Sequence, residues 1–270
     1  MRIGVVATGG PMSRDVVAPV RAIAAAIDPA IRIDFHEQCF AAHGHFAGTD
    51  QARADAFVEV ANNGDYDALW FGRGGYGTCR VAEGALARLG ADARAKTYLG
   101  YSDAGYLLAG LYKAGFSVAH GPMPGDVLAR GAEPVARALR WLARREADCV
   151  EPSLATGAKA AAFNMIVFSQ LLGTALEPDL AGHVLMLEEV EEHMYRIDRT
   201  MFHITGNASV RRAAGIRLGR CAPIPPNDPD FGESEEDVVR YWCERSGVPY
   251  LGRADIGHDA NNKVVPFGGR

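Results

Sequence analysis

Short apolar segments alternate with helix-like segments throughout the first half of the chain. Residues 3–6 and 68–71 are apolar runs of strand length, whereas residues 16–27 and 50–62 carry apolar side chains at the spacing of a helix face. Strands that alternate with helices of this length are typical of a parallel sheet covered by helices on both faces. The pattern therefore predicts an α/β fold for this part of the chain.

Two polar turns follow predicted strands. RGGYG (residues 73–77) comes after the apolar run 68–71, and GYSD (residues 100–103) comes after the strand-like residues 97–99. In a parallel sheet covered by helices, ligands bind beyond the carboxyl ends of the strands. We therefore expect both turns to lie at one edge of the sheet and to form part of a functional site.

The turn around Ser102 has the pattern of a nucleophile elbow. Gly100-Tyr101-Ser102-Asp103-Ala104 matches G-x-S-x-G except at its last residue, and in such an elbow a sharp strand-to-helix turn exposes the serine hydroxyl. Gly100 and Ala104 are small enough to let the strand and the helix approach closely, and the N–H of Asp103 would stabilise an oxyanion. A serine at this place is also typical of a plain helix cap, and the turn alone leaves that alternative open.

A serine nucleophile needs a base and an acid that orients the base. His258 is the favoured base among the eight histidines, because it follows a glycine in a loop before a predicted short strand. Glu188 is the favoured acid, because it is the first charged residue after the apolar run 184–187. We interpret at least two of the next three glutamates as solvated loop charges. Arg196 and Arg199 would either bind a substrate carboxylate or pair with these glutamates.

The second half of the chain has a less regular pattern. We place a linker at the polar segment 148–158, between an N-terminal domain of residues 1–147 and a C-terminal domain of residues 159–270. The predicted elements of the C-terminal domain are a helix over 163–172, a strand over 184–187, a helix over 197–206 and a helix over 235–246 capped by Ser234. We expect this domain to be smaller, β-rich and of the α+β class.

Charge and composition exclude several classes of protein. A net charge of −5 over 270 residues gives no basic surface for nucleic acid, and no apolar run is long enough to span a membrane. The first ten residues lack the pattern of a signal peptide, and five widely spaced cysteines without a CxxC pair favour reduced thiols. We therefore expect a cytoplasmic protein with no metal site and with neither a nucleic-acid partner nor a membrane partner.

Taken together, several segments resemble the LD-carboxypeptidase family of serine peptidases, which includes muramoyltetrapeptide carboxypeptidase and the microcin-immunity peptidases. They occur in the family's order and cover most of the chain. The matching segments are 46-FAGTDQARADAF-57, 73-RGGYGTCR-80, 99-LGYSD-103, 120-HGPM-123, 187-LEEVEEHMYRIDR-199 and 256-IGHDANNKVVPFG-268. The combination of RGGYG with GYSD is more specific than either motif alone.

The resemblance implies a role for each candidate residue. Ser102 is then the nucleophile, His258 the general base and Glu188 the acid that orients it. The oxyanion-hole N–H groups would come from Asp103, Gly74 and Gly75, and the candidate substrate-binding residues are Arg73, Tyr76, Asn164 and Arg196. The implied reaction releases terminal D-alanine from murein tetrapeptide by hydrolysis of an L,D-amide bond in cell-wall recycling. The resemblance implies no cofactor and no metal, and it implies a homodimer.

Two segments depart from the family pattern. Ala162-Phe163-Asn164-Met165 stands where relatives often have Gly-Gly-Asn-Leu, and Glu191 stands where glycine is common. One alternative is a related serine peptidase or amidase that acts on another acylated small molecule, such as an aminoacyl nucleotide. An aromatic platform for a nucleobase would favour that alternative. The other is a non-catalytic ligand-binding protein on the same fold.

Overall fold

The computed structural model describes residues 1–269, and these residues form ten strands and nine α-helices. The strands are β1 (Arg2–Val6), β2 (Arg32–Phe35), β3 (Ala68–Phe71), β4 (Thr97–Gly100), β5 (Ser117–His120), β6 (Ala160–Asn164), β7 (Val184–Glu189), β8 (Gly215–Cys221), β9 (Tyr250–Arg253) and β10 (Val265–Pro266). The α-helices are α1 (Val17–Ile27), α2 (Asp50–Asn62), α3 (Ala82–Leu86), α4 (Gly105–Lys113), α5 (Asp126–Arg130), α6 (Ala132–Arg144), α7 (Met165–Leu171), α8 (Met194–Gly206) and α9 (Glu235–Ser246).

The first sheet has six strands in the order β10-β5-β4-β3-β1-β2. Every neighbouring pair is parallel except β10 and β5, which are antiparallel. All residues of β3 and β4 are buried, and these two strands lie side by side with Trp70 opposite Leu99. Their carboxyl ends therefore meet at one edge of the sheet, where the sequence predicts the two polar turns.

The second sheet has four strands in the order β6-β7-β8-β9, and all its pairings are parallel. The helix predicted from residue 163 begins instead at Met165. Residues 160–164 are a strand because they are buried and pair with β7 in the core, which overrides the helical tendency of their alanines. Both halves combine sheets with helices. The predicted fold class, an N-terminal parallel sheet flanked by helices and a C-terminal part that contains both strands and helices, is confirmed.

The segment between the two sheets consists of 3-10 turns at Ala147–Cys149 and Pro152–Thr156. The end of the chain returns to the first sheet, where β10 pairs with β5, and Gly268 forms a bridge with Ala160 of β6. The last residues therefore link the two sheets. The linker placed at residues 148–158, between domains 1–147 and 159–270, stays a prediction.

Side chains cap the starts of two predicted helices. Thr49 Oγ1 accepts a hydrogen bond from the N–H of Ala52 at 3.1 Å at the start of α2. Ser234 and Asp237 form a capping box at the start of α9, in which each side chain accepts from the other residue's N–H. These contacts fix where the two helices begin.

The five cysteines are free, and all but Cys79 are buried. Burial raises the pKa of Cys39 and of Cys243 to about 12, so these two side chains are neutral thiols near neutral pH. Among the described residues, no helix combines the length and the apolar composition that crossing a bilayer requires.

Candidate active site

Ser102 lies in a strained turn between β4 and α4. Its φ of +59° is in the left-handed region, which few non-glycine residues of the described chain adopt. Such a conformation costs about 1 kcal/mol or more and is typical of functional sites. The 3-10 turn Ser102–Ala104 leads directly into α4, and no side chain caps the start of either. The geometry is that of a nucleophile elbow, and Ser102 does not act as the cap of this helix.

Two glycines allow the backbone to approach closely around Ser102. A Cβ atom on Gly100 would lie 2.8 Å from Cδ2 of Phe71 in the neighbouring strand β3. A Cβ atom on Gly74 would lie 2.9 Å from Ser102 Oγ. Both distances are shorter than real carbon contacts, so only glycine fits at these positions. The loop 73–77 therefore packs directly against the serine.

The side chain of Asp103 ties this loop to the elbow. Its buried Oδ2 accepts a hydrogen bond from the N–H of Thr78 at 2.8 Å. Burial raises the pKa of the Asp103 carboxyl. The N–H groups of Gly74 and Gly75 donate to no backbone carbonyl of the described residues, and both glycines line the same cleft as Ser102. Unused backbone donors next to a nucleophile are the components of an oxyanion hole.

His258 and Glu188 form a buried hydrogen-bonded pair. His258 Nδ1 lies 2.6 Å from Glu188 Oε2, and the two side chains are 8% and 0% exposed. Burial lowers the pKa of His258, but the charge and the hydrogen bond of Glu188 outweigh burial, and the net pKa is raised above the ordinary 6.5. Glu188 is the penultimate residue of β7, and the His258 loop follows β9 of the same sheet. The pair predicted from sequence is therefore assembled.

Ser102 and His258 line one cleft of about 560 Å³. Arg73, Gly74 and Gly75 line it as well. The cleft thus brings together residues that are far apart in sequence, from both sheets. Among the described residues the hydrogen bond of the His258 ring is to Glu188, and none joins it to Ser102. The contact between a nucleophile and its base is often long in unliganded enzymes and shortens when substrate binds.

Three residues that sequence reasoning missed surround His258. The ring of Tyr101 packs on the ring of His258 with centroids 4.7 Å apart. Tyr101 Oη donates to Asp126 Oδ1 at 2.8 Å, and Arg130 Nε donates to the carbonyl of His258 at 2.6 Å. Tyr101 stands inside the GYSD motif, which was a usable signal. Asp126 and Arg130 lie in no motif that we recognised.

Three of the predicted substrate-binding residues do not line the cleft. Tyr76 is 56% exposed and packs near the ring of Phe46. Asn164 is buried and caps α7, where its Oδ1 accepts from the N–H of Val167 at 3.2 Å. Arg196 forms an ion pair with Glu192 at 3.0 Å. Arg73, the fourth candidate, is the one that lines the cleft.

Glu189 is buried, so it is not one of the solvated loop charges that the sequence predicts after Glu188. Its carboxylate accepts hydrogen bonds from Asn164 Nδ2 at 2.5 Å and from the N–H of Ile166 at 3.1 Å. Burial and the neighbouring charge of Glu188 raise its pKa to about 7. Glu189 thus fixes the start of α7 beside the His258–Glu188 pair.

The backbone conformation at Glu191 accounts for one departure from the family pattern, the glutamate that stands where glycine is common. Its φ is +57°, in the left-handed region that glycine adopts at little cost. The backbone at this position therefore has the conformation that a glycine would favour, and the N–H of Glu191 donates to the carbonyl of Pro223 at 3.0 Å. The substitution keeps the turn and adds a carboxylate to the cleft lining.

One cluster of potential metal ligands occurs in the part of the chain that the structure describes, at Glu146, Asp148 and Cys149. None of the three lines the cleft. Glu146 is paired with Arg140 and Arg144 at 3.5 and 3.3 Å. This cluster is therefore separate from the Ser102 cleft.

The chain matches known proteins over both of its sheets. The model of the LD-carboxypeptidase N-terminal domain matches residues 3–121, and the model of the LD-carboxypeptidase C-terminal domain matches residues 159–270. The murein tetrapeptide carboxypeptidase of Pseudomonas aeruginosa is 26% identical over 284 residues, which span 93% of this chain and 90% of that protein.

Solved structures share the whole fold. The muramoyltetrapeptide carboxypeptidase from Oxalobacter formigenes has a TM-score of 0.80 at 23% identity, covering 99% of this chain and 93% of that one. The microcin C7 self-immunity protein MccF in complex with aspartyl sulfamoyl adenosine has a TM-score of 0.80 at 17% identity, covering 99% and 91%. With both domain models matched in order, this protein belongs to the LD-carboxypeptidase family of serine-type carboxypeptidases.

Proposed function

We propose that this protein is a serine carboxypeptidase that hydrolyses the L,D-amide bond between diaminopimelate and the terminal D-alanine of murein tetrapeptide. The reaction uses a triad of Ser102, His258 and Glu188. The observation that carries the proposal is the buried 2.6 Å hydrogen bond to Glu188 from His258, which lines the same cleft as the strained Ser102 turn. The similarity to a murein tetrapeptide carboxypeptidase supports the substrate class.

In this mechanism His258 takes the proton of Ser102 as the hydroxyl oxygen attacks the amide carbonyl. The N–H groups of Asp103 and Gly75, with that of Gly74 nearby, donate to the oxyanion that forms. His258 then gives the proton to the amine of D-alanine, which leaves, and the acyl group stays on Ser102. Water, deprotonated by His258, hydrolyses this ester and regenerates the serine.

Glu188 stabilises the charged form of His258 during these steps. Its ionised oxygen accepts from Nδ1, which fixes the tautomer that leaves Nε2 free to take the proton. The raised pKa of His258 places its titration above pH 6.5. Because the base must be neutral to accept a proton, activity falls as the pH decreases through this pKa.

Hydrolysis of an aminoacyl nucleotide, as the complex of MccF suggests, is the second candidate. A nucleobase needs an aromatic surface to stack on. Besides the catalytic candidate His258, Tyr101 has the only aromatic ring among the described residues that line the cleft, and this ring is buried against His258. Trp70 and Trp141 are buried in the core, and Trp242 donates to Asp198 on α8. The cleft lining therefore favours the peptide.

The test is release of D-alanine from L-Ala-γ-D-Glu-meso-diaminopimelate-D-Ala, followed by mass spectrometry of the tripeptide product. We expect the wild type to release D-alanine, and the analogue ending in L-alanine to react much more slowly. Ser102→Ala should release none while keeping its far-UV circular dichroism. Hydrolysis of aspartyl sulfamoyl adenosine without any tetrapeptide hydrolysis would replace this function by the second candidate.

A further inference from the structure

Arg130 extends from the end of α5 into the cleft beside His258. Its Nε donates to the carbonyl oxygen of His258 at 2.6 Å, and its Nη1 donates to Asp126 Oδ1 at 2.6 Å. The Arg130 side chain is 22% exposed, whereas that of Asp126 is 6% exposed. The guanidinium is therefore held on two sides and open on a third.

The Arg130 side chain is held by a rigid partner. Asp126 Oδ1 also accepts from Tyr101 Oη at 2.8 Å, and Asp126 Oδ2 accepts from the N–H of Met123 at 2.8 Å. With its carboxylate fixed by three donors besides solvent, Asp126 holds the guanidinium in one orientation. A cation that is already oriented loses little conformational entropy when it binds a ligand.

The third guanidinium nitrogen of Arg130 is available to a ligand. The hydrogen bonds of Arg130 within residues 1–269 come from Nε and Nη1, and Nη2 donates none. Nη2 is also not among the buried atoms of these residues that lack a hydrogen-bond partner. It is therefore reached by solvent. Arg130 lines the same cleft as Ser102 and His258, so a ligand in that cleft has access to its guanidinium.

We propose that Arg130 binds the terminal carboxylate of the substrate and so makes the enzyme specific for the last residue of a peptide. The inference rests on the proposed function, in which His258 protonates the leaving amine. In the leaving amino acid, the carboxylate carbon is two covalent bonds from that amine. The Arg130 guanidinium donates to the carbonyl of His258, so it lies beside the residue that protonates this amine. A guanidinium also matches a carboxylate in shape and charge.

Arg73 is the competing cation of the cleft. It lines the same space, but it is exposed, and its Nη1 donates to the carbonyl of Pro11 at 2.8 Å. No hydrogen bond of Arg73 connects it with His258 or Asp126. It is therefore placed less well than Arg130 to meet the leaving group.

The test compares two ligands that differ only in the terminal charge. In a Ser102→Ala background, the dissociation constants of the tetrapeptide and of its C-terminal amide are measured by calorimetry. We expect the carboxylate form to bind about 10- to 100-fold more tightly, as charge-assisted hydrogen bonds do. Adding Arg130→Gln should reduce that ratio to about 1, while adding Arg73→Gln or Arg196→Gln should retain it.

The ratio separates recognition from a merely structural role. If Arg130 only positions His258, Arg130→Gln leaves the ratio unchanged, and the proposal is overturned. Equal binding of both ligands by Ser102→Ala, no binding of either, or loss of the ratio in Arg73→Gln also overturns it. If Arg130→Gln does not fold, Arg130→Met, which keeps an unbranched apolar stem and removes the charge, decides. An unchanged ratio refutes the proposal, and a ratio reduced to about 1 supports it.

Turnover by the wild type is measured in parallel and tests the proposed function alone. If the carboxylate ratio is present in Ser102→Ala but the wild type releases no D-alanine, the substrate assignment fails and the carboxylate site stands. If D-alanine is released but the ratio is absent, the reaction stands and the role of Arg130 is wrong.

Discussion

Replacing Glu188 by glutamine tests the electrostatic part of the mechanism. The change keeps the volume of the side chain and removes the negative charge that faces His258 Nδ1 at 2.6 Å. Glu188 is fully buried, and its Oε1 has no hydrogen-bond partner among the described residues. The amide therefore replaces the carboxylate without breaking any other contact of that side chain, and the variant should fold.

The size of the effect follows from the burial of the pair. A hydrogen bond to a charged group contributes about 1.5–3 kcal/mol, and two charges about 4 Å apart attract by about 4 kcal/mol at an effective dielectric constant of ~20. A loss of roughly 3–5 kcal/mol in stabilising the imidazolium corresponds to a decrease of about 10²- to 10⁴-fold in kcat. Glutamine also permits the wrong tautomer of His258, which acts in the same direction.

The pH profile gives the second readout of Glu188→Gln. In the wild type, the charge of Glu188 outweighs burial and raises the pKa of His258 above 6.5. Without that charge burial dominates, so the pKa should fall below 6.5. The acid limb of kcat/KM, which reports the free enzyme, should therefore move to lower pH while the plateau decreases.

The assay is D-alanine release from pH 4.5 to 9, with Glu192→Gln as a matched control. Glu192 belongs to the same acidic segment but pairs with Arg196 outside the cleft lining. This control should keep the wild-type acid limb. A loss of less than tenfold in Glu188→Gln, or an acid limb that does not move, would refute the electrostatic role of Glu188.

Three further predictions concern the loop, acid stability and assembly. Gly74→Ala should reduce kcat/KM about 10- to 100-fold, because its Cβ would lie 2.9 Å from Ser102 Oγ, whereas Gly84→Ala, whose Cβ meets nothing within 4 Å, should not. Burial lowers the pKa of His120 to about 4, so the folded protein binds one proton fewer than the unfolded chain between about pH 4 and 6.5. Protonation of His120 should therefore decrease the free energy of unfolding by about 3 kcal/mol from pH 7.5 to 4. Urea titrations of His120→Gln should show a smaller decrease over this pH range than those of the wild type. An equal decrease in the two proteins would contradict this prediction. The homodimer implied by the family resemblance predicts twice the chain mass in light scattering, and the mass of one chain would exclude it.

The periodicity of the first half predicts its sheet well because β1, β3 and β4 are largely buried strands that alternate with helices. Helix α2 has the predicted bounds, 50–62. The second half is harder, since β6 is rich in alanine and β8 carries arginines and glycines, so neither has the apolar pattern of a strand. Their pairing with β7 in the core makes them strands, and local sequence does not contain that information.

The candidate site likewise contains residues that the sequence identifies and residues whose role depends on contacts distant in sequence. Ser102, Glu188 and His258 stand in recognisable segments, and the structure brings them to one region of the fold. Arg130 carries no motif, because its place depends on a contact with a carbonyl 128 residues away in sequence. The burial of Glu189 likewise depends on α7, which folds back against β7.

Covalent labelling of Ser102 tests the central claim most directly. The protein is treated with a fluorophosphonate, digested and analysed by mass spectrometry, with Ser13→Ala as the control because Ser13 is the other serine that lines the cleft. We predict one adduct, on the peptide that contains Ser102, which Ser13→Ala retains, His258→Gln slows strongly and Ser102→Ala abolishes. An adduct on Ser13, or equal labelling of the wild type and His258→Gln, would contradict the assignment of Ser102 as a nucleophile activated by His258.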